Sequence, residues 1–126
     1  MQWNRQRRKN AEYYEELLSS VDGVVVPFEP SWSRAVYHLY IVRVQDRQEM
    51  QAYLKDAGVG TGIHYPIPLH LQEAYRYLDY RKGDFPVAER IAPEILSLPM
   101  YPQLQHSEQE TVARAVKDCL LAVKSI

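Results

Sequence analysis

The chain is short of most features that would place it in a specialised class. It has one cysteine, Cys119, so no internal disulfide can form and a cytoplasmic location is the default expectation. Net charge of one sign is missing too: the formal value is −1, which gives no global pull toward nucleic acid or an anionic membrane. No apolar run approaches the ~20 residues that span a bilayer. The amino-terminal M-Q-W-N-R-Q-R-R-K has no apolar core of a signal peptide. Neither G-x-x-x-x-G-K-[ST] nor G-x-G-x-x-G occurs, which excludes the common phosphate cradles. There is no internal repeat and no low-complexity linker. Phenylalanine is scarce, with two against ten tyrosines. Tyrosine keeps a polar tip on an apolar body, which suits a domain with one wet surface facing a ligand or partner. The 126 residues fit one domain, 1–126, with a substantial core.

What is present reads as alternating helices and short strands. Ala11, Tyr14, Leu18 and Val21 recur at helical spacing, predicting a helix from about Asn4 to Val21 that Gly23 stops. Val24–Val26 is a short apolar run closed by Pro27. Val36–Val44 is the best strand, with Tyr37, Leu39 and Ile41 on one face and His38, Tyr40, Val42 and Val44 on the other. Asp46 and Glu49 form a capping-box pair ahead of a helix whose stripe is Met50, Tyr53, Leu54 and Ala57, and Gly58 ends it. Val59–Tyr65 reads as a second strand weakened by Gly60 and Gly62, with those glycines and Gly58 making a tight turn. Leu71–Leu78 reads as a short helix and Arg81–Asp84 as a turn. A helix from Phe85 follows, capped by Asp84, with Val87, Ile91 and Ile95 inward and Pro93 kinking or shortening it. Leu96–Met100 is the third strand. Ser107 and Glu110 make a second capping box, opening a helix that buries Val112, Val116, Cys119, Leu120 and Val123. The expected class is α+β: a small, mostly antiparallel sheet of about three strands with helices packed on it.

The segment His64–Tyr75, H-Y-P-I-P-L-H-L-Q-E-A-Y, concentrates chemistry in an irregular stretch. Pro66 and Pro68 forbid an ordinary helix or central strand there and hold Tyr65 and Ile67 extended. A stiff loop of this kind either presents rings at fixed positions for binding or fills a crevice with tyrosines; the residues alone leave both open. His64 and His70 lack a helical metal-ligand spacing and accompanying cysteines or carboxylates, so no metal is assigned. Cys119 lies on an apolar stripe and reads as core. Mid-strand His38 reads first as structural. The cluster Arg5, Arg7, Arg8 and Lys9 reads as a solvated or partner-facing helix end, not as a nucleic-acid site.

Four blocks in order, H-L-Y-I-V-R-V (38–44), G-V-G-T-G-I-H-Y-P-I-P-L-H-L-Q-E-A-Y (58–75), F-P-V-A-E-R (85–90) and L-S-L-P-M-Y-P (96–102), resemble the carboxy-terminal small domain of the DegT/DnrJ/EryC1/StrS aminotransferases. The helix R-R-K-N-A-E-Y-Y-E-E-L-L is similar to the one leaving that family's large domain, so residues 1–22 would connect to a large domain. The resemblance implies pyridoxal 5′-phosphate (PLP) chemistry in the full-length enzyme: amino transfer from a glutamate-type donor to a nucleotide-linked keto-sugar, in a homo-oligomer expected to be a dimer. It implies that His64 and Tyr65 face the sugar nucleotide, with His70 and Tyr75 the next candidates for the same wall and His38 the last. The family's Schiff-base lysine lies in the large domain. Lys9, Lys55, Lys82, Lys117 and Lys124 each fall on an expected solvated face or turn, so this chain alone is expected to hold no cofactor, to supply no catalytic residue and to be inactive. The alternative is a free-standing, non-catalytic binding or oligomerisation module derived from that domain.

Overall fold

The computed structural model describes residues 1–124, with the side chain of Lys124 outside the described part. The elements run α1 (Gln2–Leu18), β1 (Tyr40–Arg43), α2 (Arg47–Asp56), two 3₁₀ turns (Leu69–Leu71 and Glu73–Leu78), α3 (Pro86–Ile91), β2 (Ile95–Leu98) and α4 (His106–Lys124). β1 and β2 pair antiparallel, Tyr40 opposite Leu98 and Arg43 opposite Ile95. Single bridges flank the ladder, Val25 to Arg43 on one side and Gly62 to Ser97 on the other.

The class is the α+β arrangement expected, with two strands in place of about three. The segment around Val59–Tyr65 contributes only its bridge at Gly62, since glycines give a strand little to pack and the prolines that follow cannot extend a ladder. The first strand is shorter than Val36–Val44. Tyr37 turns to φ 49°, which breaks the extended run, and His38 is an exposed residue in a bend instead of a strand residue. From Tyr40 onward alternation holds: Tyr40, Val42 and Val44 are buried, Ile41 and Arg43 half-buried.

The core joins all the long elements. Ala11, Tyr14 and Leu18 of α1, Met50 and Leu54 of α2, Leu96 and Leu98 of β2, and Val112, Val116 and Cys119 of α4 belong to one buried cluster with the inward face of β1. α4 packs on both α1 and α2. Polar ties reinforce the apolar contact: Asn10 Nδ2 donates to the carbonyl of Tyr101 (2.9 Å), Gln109 Nε2 to that of Asn10 (2.7 Å), and the Tyr14 hydroxyl to that of Pro99 (2.9 Å).

The helix ends depart from the sequence rules in an instructive way. Asp46 precedes α2 but makes no side-chain cap bond. At α4 the anchor is Glu108, whose Oε2 accepts from the Gln105 amide at 2.8 Å, so the capping partnership sits ahead of Ser107–Glu110; Glu110 instead accepts from the Tyr13 hydroxyl (2.7 Å). The end of α2 follows expectation. Gly58 takes φ 79°, its amide donates to the Lys55 carbonyl (3.0 Å), and the Val59 amide donates to that of Leu54 (2.8 Å). This is the Schellman closure, with the apolar pair Val59 and Leu54 buried beneath it. α3 is brief: Phe85, not Asp84, stands at its cap position, Val87 is exposed, and Ile95 lies on β2, because the helix ends before Pro93.

Candidate functional site

The prolines and the bridge at Gly62 split the predicted site residues into two groups. Directly after the bridge, His64 lies half-buried with Nδ1 2.8 Å from Ser97 Oγ on β2. The His64–Tyr65 peptide is cis, and the Tyr65 ring stands edge-on to His64 at 5.5 Å. Tyr65 is 66% exposed, side by side with a histidine that is held by Ser97.

His70 and Tyr75 belong to a separate lobe, formed by the 3₁₀ turns and α3. His70 Nε2 is 2.8 Å from Glu89 Oε1, with the side chains 7% and 14% exposed. Glu89 also accepts from the Gly83 amide (2.8 and 2.9 Å) and the Phe85 amide (3.4 Å). The bond from His70 and these amides hold the Glu89 carboxyl below its usual range. The His70 ring leans on Phe85 at 4.8 Å. Leu69, His70, Tyr75, Leu78, Tyr80 and Phe85 line an open, mainly apolar depression of about 540 Å³. His38 joins neither group; it sits exposed before β1.

Two polar contacts escaped the sequence reading. Ser97 is one; its signal is a small polar residue between the apolar Leu96 and Leu98. The other is a polar clamp around Glu29. Arg8 Nη1 donates to Glu29 Oε1 (2.8 Å) and to the Ala35 carbonyl (2.6 Å), the Ala35 amide donates to Glu29 Oε1 (2.6 Å), and the Tyr37 hydroxyl donates to Oε2 (3.0 Å). Arg8 therefore leaves the solvated cluster to which its neighbours assign it. Its bond, followed by the Ala35 amide, pulls the Glu29 carboxyl from an ordinary 4.5 down to about 2.

Lysine placement bears on a cofactor. Lys9, Lys55 and Lys82 are exposed and Lys117 is half-buried on α4, while the Lys124 side chain lies outside the described residues. Lys55 borders an open groove with Gln51 and Thr61. A Schiff-base lysine needs an enclosed setting that lowers its pKa, and the positions of Lys9, Lys55, Lys82 and Lys117 do not fit that role. Among the described residues no group of three or more His, Cys, Asp or Glu could hold a metal ion. No helix among them is long and apolar enough to cross a membrane.

Comparison with known proteins adds the context. The family model described as the DegT/DnrJ/EryC1/StrS aminotransferase family matches residues 1–117. A pleiotropic regulatory protein of Geobacillus stearothermophilus is 42% identical over 118 residues, covering 92% of this chain and 32% of its own length. The dTDP-3-amino-3,6-dideoxy-alpha-D-galactopyranose transaminase of Aneurinibacillus thermoaerophilus is 38% identical, covering 90% and 30%. DesV of S. venezuelae superposes with a TM-score of 0.86 at 34% identity, covering 92% and 31%. The chain thus spans about a third of the length of the relatives it matches.

Proposed function

The chain belongs to the DegT/DnrJ/EryC1/StrS aminotransferase family, and from that premise we propose that it serves as the carboxy-terminal domain of a nucleotide-sugar aminotransferase. In this reading residues 1–126 are one domain and the helix over 1–22 leads from a large domain. The observation that carries it is the His64–Tyr65 pair, one ring anchored on Ser97 and the other exposed beside it. Imidazole and phenol offer hydrogen bonds to sugar hydroxyls and phosphate oxygens. His70 and Tyr75, on their own lobe with His70 tied to Glu89, and His38, which joins neither group, are the further candidates for substrate contact. These side chains bind and orient substrate; none exchanges the proton of the amino transfer.

PLP supplies the electron sink of such a reaction when bound. Its lysine and phosphate site would lie in the large domain, since the lysines described here do not fit it. The substrate is a nucleotide-linked keto-sugar and the amino donor is of the glutamate type. The assembly is a homodimer in the cytoplasm, without nucleic-acid or membrane partners. A free-standing module is the less favoured reading, because the chain matches about a third of enzymes that include a sugar transaminase.

The test joins residues 1–126 to the rest of a homologous enzyme, in place of its matching third. The chimera should transaminate, whereas the separate chain mixed with PLP should leave the cofactor's visible absorption unchanged. In the chimera His64→Ala should lower kcat/KM for the nucleotide sugar about 10- to 100-fold, the effect of losing a hydrogen bond to a charged group. A lysine-bound absorption band in the separate chain would overturn the assignment.

A further inference from the structure

Gly62 and Ser97 together build a socket for one imidazole ring. They face each other across the bridge, with the Gly62 amide donating to the Ser97 carbonyl (3.1 Å) and the Ser97 amide to the Gly62 carbonyl (2.8 Å). Side chains two apart on an extended segment share a face, so His64 projects on the side where Gly62 has no side chain. The ring folds back over that gap. A Cβ at position 62 would lie 2.7 Å from His64 Cε1 and 3.4 Å from Nδ1. Gly62 is needed there for space, not for a turn. The gap lets Nδ1 reach Ser97 Oγ at 2.8 Å.

We propose that Ser97 is a positioning residue that holds neutral His64 in the tautomer protonated on Nε2, so that the ring offers a donor to an oxygen of the substrate. A neutral imidazole has one donor and one acceptor nitrogen, and the bond made by one sets the role of the other. Ser97 is 5% exposed, between Leu96 and Leu98, and among the described residues its hydroxyl has no other hydrogen-bond partner than Nδ1. Were Nδ1 to carry the proton, Oγ would accept and its own O–H would be buried without an acceptor. With the hydroxyl donating, no donor is stranded; unfilled acceptor lone pairs are better tolerated in protein interiors than unpaired donors. The oxygen recognised is that of a phosphate or a sugar hydroxyl. That identity rests on the substrate-facing role proposed above, whereas the tautomer does not.

Long-range ¹H–¹⁵N correlation spectra of the labelled chain, at a pH where the ring is neutral and with His64→Gln to assign it, read the tautomer directly. The expected result is one tautomer with Nε2 protonated. Ser97→Ala should give averaged ring-nitrogen shifts, Ser97→Thr should keep the original pattern, and Gly62→Ala should lose it with the hydroxyl still present. Protonation on Nδ1 in the unaltered chain, or an unchanged pattern in Ser97→Ala, overturns the proposal. If Ser97→Ala does not fold, the unaltered chain and Gly62→Ala decide. In the chimera Ser97→Ala should raise KM for the nucleotide sugar about tenfold with kcat nearly kept, and Ser97→Thr should restore it. An effect of neither His64→Ala nor Ser97→Ala on KM, with the tautomer as expected, would reject the substrate-facing role and leave the socket intact.

Discussion

Two tyrosines stack at 4.9 Å in the core and differ only in what their hydroxyls find. Tyr14 donates to the Pro99 carbonyl, while the buried Tyr40 hydroxyl has no partner among the described residues. Burial pushes both phenols upward, so both stay neutral across the ordinary pH range. Removing a paired buried hydroxyl costs about 1 kcal/mol, while removing an unpaired one relieves a desolvation penalty. Tyr14→Phe should therefore lower the denaturant midpoint, and Tyr40→Phe should leave it unchanged or raise it. A drop of equal size in both variants would contradict the pairing. Glu29 supplies a pH test at the same scale. Its folded pKa lies near 2 against an ordinary 4.5, so its stabilising contribution is complete above 4.5 and is lost as pH falls toward 2. In a Trp3→Phe background the fluorescence of Trp32, which sits in the segment Glu29 clamps, should change across that window, and Glu29→Gln should abolish the change.

Between elements, stops are more informative than starts. The Gly58 closure of α2 needs φ 79°, a conformation that penalises any Cβ, and the space around it is open. Gly58→Ala should thus cost about 1 kcal/mol from backbone strain alone, measured by thermal or denaturant unfolding. A neutral result would mean the turn relaxes without loss. The starts of α2 and α4 show why capping patterns mislead. S-x-x-E occurs at Ser107–Glu110, but the neighbouring Glu108 reaches the Gln105 amide first and Glu110 is drawn to Tyr13. Local pattern proposes partners; a competing side chain from α1 decides between them.

The molecule as a whole divides into a shared core and a lobe. The core cluster draws on α1, β1, α2, β2 and α4. Neither 3₁₀ turn nor α3 contributes a buried residue, so the lobe rests on the knot of His70, Glu89 and the Gly83 amide. Disrupting each region should have separable effects. Leu54→Ala, at a fully buried position, should cost about 2–5 kcal/mol and move all probes together. His70→Ala should speed amide hydrogen exchange over residues 69–91 and leave the core amides protected. Because the Glu89 carboxyl is held low, acid should loosen the same lobe as pH falls below the ordinary carboxylate range. Uniform loss of protection in His70→Ala would show that lobe and core are one cooperative unit.

Periodicity alone was enough to mark Ala11, Tyr14 and Leu18 of α1, Met50 and Leu54 of α2, Val112, Val116 and Cys119 of α4 and the alternation of Tyr40, Val42 and Val44, because these depend on local geometry that repeats along the chain; Tyr53 and Ala57, assigned to the same stripe of α2, are exposed. The ordered blocks from His38 to Pro102 were likewise enough to recognise the family. Spacing could not say that His64 meets Ser97, 33 residues away, or that His70 meets Glu89, 19 away. Nor could it foresee that Arg8 and Glu29 would pair, or that Gly62 would be a space instead of a turn. Those partnerships depend on which distant atoms the packed core brings within hydrogen-bond reach, and a linear pattern carries no record of that distance.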